Sequence, residues 1–385
     1  MEILNISDPG YRVDPFEMEK HLTWLEGNLD SDHLEEVAEL QFETFRFRET
    51  SRIPVLVSTR NDVAHLSHKK GDWPTFAFHE MWHDPAAMLL NELFPVYESA
   101  ILKDDKVFSL RPNLSQLFIP GFFGAAGTLS GKEMDDMPYL SYIPEREGLE
   151  KIIDRGFDVE SFSMVRKYIS VIEKWKEYLS PYPRLRQYTH FALPDLQGPF
   201  NVFFLLRGVN AYIDFFDNPG LIDHLMEAIT EIIVQTVQYL ASYLGETGKG
   251  YCWNYGYPGL LRNVDDNSTL ISREQYLRFV HPWNVQLTER CGGGIHHYCG
   301  EGSHIAGDIM SIPGINGLNF GNPEMQDREK VTEISRQTQT VLLWDELIPP
   351  GELKKIPPGG YILKAIVSDL EEGKNYMNEI RGMHV

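Results

Sequence analysis

The chain has 385 residues, 42% hydrophobic and 24% charged, with a formal net charge of -21. That composition is enough for a sizeable apolar core and excludes wholesale disorder, and the negative charge, with no Lys/Arg stripe to offset it, excludes a nucleic-acid backbone as partner. Three cysteines, Cys252, Cys291 and Cys299, make no disulfide framework; with no basic leader and no long apolar run, the expectation is a soluble cytoplasmic protein with no membrane partner.

Residues 1 to 50 include EMEKHLTWLEGNLDSDHLEEVAELQFETFRF, charged and helical in pattern. This predicts an N-terminal helical extension ahead of a main domain at 51 to 385. Apolar or β-rich segments then recur: IPVLVST at 53 to 59, VFSLRPNL at 107 to 114, HFALPDLQGPF at 190 to 200 and YCWNYGY at 251 to 257. GIHHYCG at 294 to 300, GINGLNFGN at 314 to 322, TVLLWDEL at 340 to 347 and YILKAIV at 361 to 367 complete the series. Helical patterns lie between them. NPGLIDHLMEAITEIIVQTVQYLASYL keeps apolar spacing from Leu225 to Leu240, and SREQYLRFVHPW opens with Ser272 and Gln275 at capping-box spacing. Strand, helix, strand repeated predicts a parallel sheet. Eight such strands predict an α/β fold of the closed (β/α)8 TIM-barrel type. The long gap around 121 to 185 predicts a helical insertion. No GxGxxG or GxxxxGK[ST] follows any strand, which counts against a nucleotide-binding fold.

Polar residues gather at the ends of these strands, the place where barrel active sites form. Asp195 and Gln197 end the third, Trp253, Asn254 and Tyr255 lie in the fourth with Asp265 and Asp266 soon after, and His297 and Cys299 end the fifth. Asn319 and Asn322 end the sixth, and Asp345 and Glu346 the seventh. Residues two apart on a strand share a face, so His297 and Cys299 point together while Tyr298 and His296 point away. Imidazole and thiolate suit zinc, yet a catalytic zinc takes three protein ligands and this pair supplies two. A neutral core histidine beside a free thiol remains the alternative. Asp265 and Asp266 before Asn267 and Ser268 also read as turn caps, and Asn322 before Pro323 as a turn. Trp253, Tyr255, Phe122 and Phe123 could wall an aromatic substrate or fill the core.

PDLQGPF, LRG at 206 to 208, DNPGLIDHLMEAI, DDNSTLISREQYLRFVHPW, GGGIHHYCG and INGLNFGN together resemble, in order, the uroporphyrinogen decarboxylase superfamily, with a fainter likeness at RIPV, 52 to 55. The resemblance implies a (β/α)8 barrel. The decarboxylases' arginine-rich stretch, roughly RPVWxMRQAGRY, is replaced by RIPVLVSTRNDVAH; their FSDI signature and last-strand histidine have no counterpart in SLRPNLSQL and YILKAIVSD. The zinc-dependent corrinoid methyltransferase branch is closer, because its H-x-C ligands match His297 and Cys299. Its further cysteine near the last strand is absent here, so the resemblance leaves either an oxygen donor such as Asp345, Glu346 or Glu301 as third ligand, or a zinc that is weak or missing, the case in which the chain would bind without turnover.

What the branch implies is methyl transfer between a small methylated or thiol-bearing substrate and a corrinoid carried by a partner protein, assisted by zinc. Asp195 and Asp266 are the candidate catalytic groups, as acids or as orienters of the histidine. Asn254, Tyr255, Asn319 and Asn322 are the candidates for binding the cofactor. Two other classes stay open: decarboxylation of a tetrapyrrole or other carboxylated substrate held by Arg60, Arg111 and Arg262, and non-catalytic binding of a tetrapyrrole or corrinoid.

Overall fold

The structure, a computed structural model, describes residues 4, 10–59, 69–70, 72–128, 138–143 and 146–382. Two helices come first, α1 at Pro15–Asn28 and α2 at Ser31–Phe45, capped by the side chains of Asp14 and Asp30. Strand β1 follows at Val55–Thr59, then helix α3 at Phe94–Leu102 and the short strand β2 at Ser109–Leu110. Helix α4, Ser163–Leu179, is the longest α-helix among the described residues of the stretch where the long gap predicts helix. Strand β3 at His190–Phe191 leads to helix α5 at Pro199–Arg207 and the 26-residue helix α6 at Pro219–Leu244.

The strand expected at 251 to 257 is a hairpin instead. Strands β4, Lys249–Cys252, and β5, Tyr255–Pro258, pair antiparallel, and the parallel strand of this region is β6, Leu261–Val264. The fifth to eighth expected strands form where the pattern puts them: β7 Gly294–Tyr298, β8 Ile315–Phe320, β9 Val341–Asp345 and β10 Tyr361–Val367. Helix α7, His281–Arg290, precedes β7, and Ser272 makes the expected capping box at the start of the segment leading into it. The result is a mixed α/β fold whose main sheet has six parallel strands in the order β1-β10-β9-β8-β7-β6. No helix among the described residues is long and apolar enough to cross a membrane.

Past β1 the ladder is continued by side chains. Alternate N–H groups of a strand point to one edge, and here those of Val55, Val57 and Thr59 are accepted by the carboxylates of Asp105 (2.8 Å), Asp104 (2.7 Å) and Glu98 (2.9 Å). Asp105 N–H returns a bond to Val55 O at 2.9 Å, and Lys106 Nζ donates to Val57 O. Lys106, 1% exposed, balances this acidic edge, 2.8 Å from Asp104 and 3.7 Å from Glu98, while Arg52 pairs with Asp105 at 2.9 Å. Further round, β2 pairs parallel with β3, and Gly198 N–H donates to Val264 O at 2.6 Å at the far end of β6.

Strand periodicity separates two cores. Val57, Leu318, Trp344 and Leu363 belong to the large cluster under the helices, whereas Leu56, Ile295, Leu343 and Ile362 pack on the opposite face against Phe45, Cys252, Tyr255 and Tyr257. The hairpin therefore fills the inner face near the strand starts. Two residues further along the same face stand His297, Asp345 and Lys364, joined by Asn319 on β8, so that face turns from apolar to polar toward the C-terminal ends of the strands.

Two predictions follow from buried charge. Lys106→Met leaves Asp104 and Glu98 without their shared cation, and urea unfolding should show a loss of about 3 to 5 kcal/mol; a loss under about 1 kcal/mol would mean the acidic edge does not need it. His190 lies flat on Tyr251, 3.9 Å between centroids, and burial, with help from Lys249, lowers its pKa from 6.5 to about 4. The folded state resists a proton that the unfolded state accepts, so this stability is complete above pH 6.5 and is lost as pH falls from 6.5 toward 4. The expected loss is about 2 kcal/mol after allowing for partial solvation, and His190→Phe should remove that part of the acid sensitivity while keeping the stack.

Candidate metal centre

The register of β6 against β7 sets Val264 beside His297. Two residues further on, Asp266 then stands beside Cys299, and the Cys299 N–H donates to Asp266 Oδ1 at 2.7 Å. The thiol sulfur lies 3.4 Å from His297 Nε2, which is 3.6 Å from Asp266 Oδ1. All three donor atoms fall within 4.8 Å of one another, a group of Asp, His and Cys that fits a metal site. A Cβ at Gly321 would come within 2.4 Å of Cys299 Sγ, so the glycine after β8 leaves the thiol its space.

The protonation of the imidazole is set from behind. Asn319 Nδ2 donates to Leu343 O at 2.9 Å and to Asp345 Oδ1 at 3.1 Å, so its Oδ1 must face His297 Nδ1, 2.6 Å away. Nδ1 therefore carries the hydrogen and Nε2 keeps its lone pair toward Cys299 and Asp266. Burial lowers the His297 pKa, with Asp266 opposing, so the ring is neutral, as a ligand must be. Burial, and then the neighbouring Asp266 carboxylate, push the Cys299 thiol up to about 12. A bound cation reverses that preference by stabilising the thiolate.

Around this group the inner face is charged and tightly paired. Lys364 Nζ lies 3.3 Å from Asp345 Oδ2. Asp195 accepts from Arg262, stands 3.4 Å from Arg111 and takes a 2.7 Å bond from Gln197. Burial raises its pKa, but the two guanidiniums together with the hydrogen bonds from Gln197 more than offset this, and the net shift is downward. Asp195 is thus an ionised anchor for two arginines and not a proton donor. Trp253 places its ring 5.0 Å from that of His297, with the Arg262 guanidinium 4.3 Å over its face. It does so from the tight turn of the β4–β5 hairpin, where Trp253 and Asn254 both have positive φ, at 52° and 63°. Such turns favour Asn-Gly, and a tryptophan there stores strain.

Several expected site residues have other work. Glu346 is bound by Arg328 and by Trp344 Nε1, and Asp345 is hydrogen-bonded to Asn319, acting on the imidazole through that bond and through its charge. The carboxylate in the donor group is Asp266. Asn254 ties the hairpin to Ser109 and Val107, Tyr255 is 1% exposed in the inner core, and Asn322 accepts from Gly300 N–H as a turn residue. Asn319 serves His297. Phe122 and Phe123 pack with Phe162 and Phe157, His304 meets Ile271 O, and Arg60 lies outside the described residues. The pairing of Asp266 with Cys299 escaped the sequence because the misplaced fourth strand hid the register; LRNV directly ahead of Asp265 was the signal. Lys364, in the correctly expected YILKAIV, was missed as a lone charge in an apolar strand.

No family model matches the chain, and no curated protein matches it by sequence. Its fold is similar to that of a methyltransferase from Methanosarcina mazei. The TM-score is 0.62 at 14% sequence identity, over 91% of this chain and 99% of that one.

The role of Asn319 can be tested directly. Asn319→Leu removes the acceptor that selects the His297 tautomer, and a chelator-competition titration should show metal affinity about 10- to 100-fold weaker, with Asn319→Asp retaining most of it. Equal affinity in the leucine variant would mean the ring needs no such partner.

Proposed function

We propose that the chain is a zinc-assisted methyltransferase of the uroporphyrinogen decarboxylase superfamily, moving a methyl group between a small methylated or thiol substrate and the corrinoid of a partner protein. The observation that carries this reading is the meeting of Asp266, His297 and Cys299 at the ends of adjacent parallel strands, in a fold shared with a methyltransferase. A closed (β/α)8 barrel is supported by eight parallel segments in cyclic order: the six-stranded sheet, then β2 and β3, bridged by the bonds from Asp105 to Val55 and from Gly198 to Val264. Residues 1–50 would be its helical extension.

The donors suit zinc in spacing as well as kind. Two corners of a tetrahedron with arms of about 2.0 and 2.3 Å stand roughly 3.5 Å apart, close to the 3.4 Å from sulfur to Nε2 and the 3.6 Å from Nε2 to Asp266. Three protein ligands leave a fourth position for substrate. Zinc bound there supplies a cation that lowers the pKa of a ligating thiol or polarises a methoxy oxygen. His297, held by Asn319, presents its lone pair; Cys299 gives up its proton; Asp266 adds the second negative charge and keeps the Cys299 backbone in place. In the demethylating direction the bond from X to CH3 would break with its pair going to X, which would take a proton from solvent, and the methyl group would be accepted by the electron pair of a reduced corrinoid on the partner. The arginines give the decarboxylase reading less support, since Arg111 and Arg262 are both engaged by Asp195. The non-catalytic reading rested on a missing third ligand, which Asp266 supplies.

Purified protein should contain near-stoichiometric zinc, and elemental analysis of Cys299→Ser and Asp266→Asn should show it reduced. With small thiols and methylcobalamin, or methyl ethers and cob(I)alamin, the wild type should transfer methyl groups and Cys299→Ser should be slower by at least about 100-fold. Retained metal and rate in Cys299→Ser would sink the reading, and absence of zinc from the wild type would remove its metal.

A further inference from the structure

Directly behind the donor group, on the helix-facing side of the sheet, four polar side chains form a chain of hydrogen bonds. Asn284 on α7 donates from Nδ2 to Asp265 Oδ2 at 3.1 Å. Asn263 on β6 donates from Nδ2 to Asn284 Oδ1 at 3.0 Å, and its other hydrogen points to His296 Nδ1 at 3.1 Å. All four residues are 0% exposed. The two ends of this chain are the sequence neighbours of two donors, since Asp265 precedes Asp266 and His296 precedes His297. Its middle is Asn263, one residue before Val264, which sits in register with His297.

Packing alone does not ask for these residues. Buried amides, an imidazole and a carboxylate cost desolvation that leucine or methionine in the same space would not, the more so because Asn263 Oδ1 and His296 Nε2 are buried without a hydrogen-bond partner; a polar chain kept at that cost points to a geometry that must be specified. That requirement is visible in front. Asp266 opens a single turn of 3-10 helix, Asp266–Leu270, whose N-cap residue Asp265 makes no side-chain capping bond. Asp266 is 37% exposed at its side chain. The turn is tied to β7 by the bond from Asp265 N–H to His297 O at 2.9 Å and by the Cys299 N–H on Asp266. Further along, the turn is held by Asn267, which bonds Asn201 and Tyr212, and by Thr269 Oγ1 on Cys299 O; next to Asp266 itself, the Asp265 carboxylate adds the anchor to α7.

We infer that Asn263 and Asn284 are positioning residues that brace the segments carrying Asp266 and His297 from behind, joining Asp265 to His296 across β6 and α7. The brace rests on the metal reading but is separable from it. It acts on where the ligands stand, and a loose brace admits the metal into a wider, less regular set of donors.

The test uses the full chain stripped of metal and titrated with Co²⁺ alone, whose ligand-field and thiolate charge-transfer bands report coordination geometry. Asn284→Leu and His296→Leu cut the chain at different bonds, so one folded variant suffices. Either should bind cobalt about 10- to 100-fold more weakly and with altered bands, while Asp265→Asn, which keeps an acceptor for Asn284, should stay near wild type. Ile172→Ala, which opens a cavity on α4, controls for lost stability and should leave both affinity and spectrum unchanged. Wild-type affinity and spectrum in Asn284→Leu or His296→Leu, or equal losses in Ile172→Ala, would overturn the brace. Failure of the wild type to bind cobalt would overturn the metal reading beneath it.

Discussion

The site depends on one register, that of β6 beside β7 with Val264 opposite His297. Because side chains alternate with a period of two, a slip by one residue would turn His297 and Cys299 toward the helices and bring His296 and Tyr298 to the inner face. The same register carries Asp266 to Cys299, and that of β7 with β8 carries Asn319 to His297. The His–Cys pair, the tautomer and the third donor, a carboxylate, are thus consequences of how three neighbouring strands align. Glycines secure that alignment locally: an added Cβ at Gly294 would lie 2.0 Å from Leu261 O, so β6 and β7 close together only with a bare backbone there.

Holding this geometry has energetic consequences elsewhere. The free edge of β1 is completed by three carboxylates and a buried lysine in place of backbone, an arrangement that is stable only while every charge keeps its partner. The hairpin that fills the inner face turns through two residues at positive φ, a strain on the order of 1 to 3 kcal/mol each. What that strain achieves is the position of Trp253, wedged between Arg262 and His297. Apolar packing at the strand starts and paired charges at the strand ends are then two halves of one inner face, rigid at the bottom and chemically committed at the top.

Much of this was legible in the amino-acid sequence. The H-x-C pair, the strands from β7 to β10 and helix α6 follow from alternation, helical spacing and glycine punctuation. The fourth strand did not, for a physical reason. LRNV carries an arginine bound to Asp195 on one face and an asparagine bound to His296 on the other, so it lacks the apolar alternation that marks a strand. YCWNYGY, rich in aromatics, has strong β character and does form strands, but they fold back on each other. With the strand misplaced, Asp266 read as a catalytic acid, an orienter of the histidine or a turn cap, and Asp345 as a ligand, although Asp345 stands one hydrogen-bonded residue behind the imidazole. Pairing partners are a property of tertiary register, which a single sequence does not display.

The most direct measurement is X-ray absorption at the zinc edge of the purified protein. One sulfur scatterer at about 2.3 Å with two or three nitrogen or oxygen scatterers at about 2.0 to 2.1 Å is the shell that Cys299, His297 and Asp266 with one exchangeable ligand would produce. A shell without sulfur, or with more than one, would contradict it, because among the described residues Cys299 alone of the three cysteines is exposed and joined to the donor group.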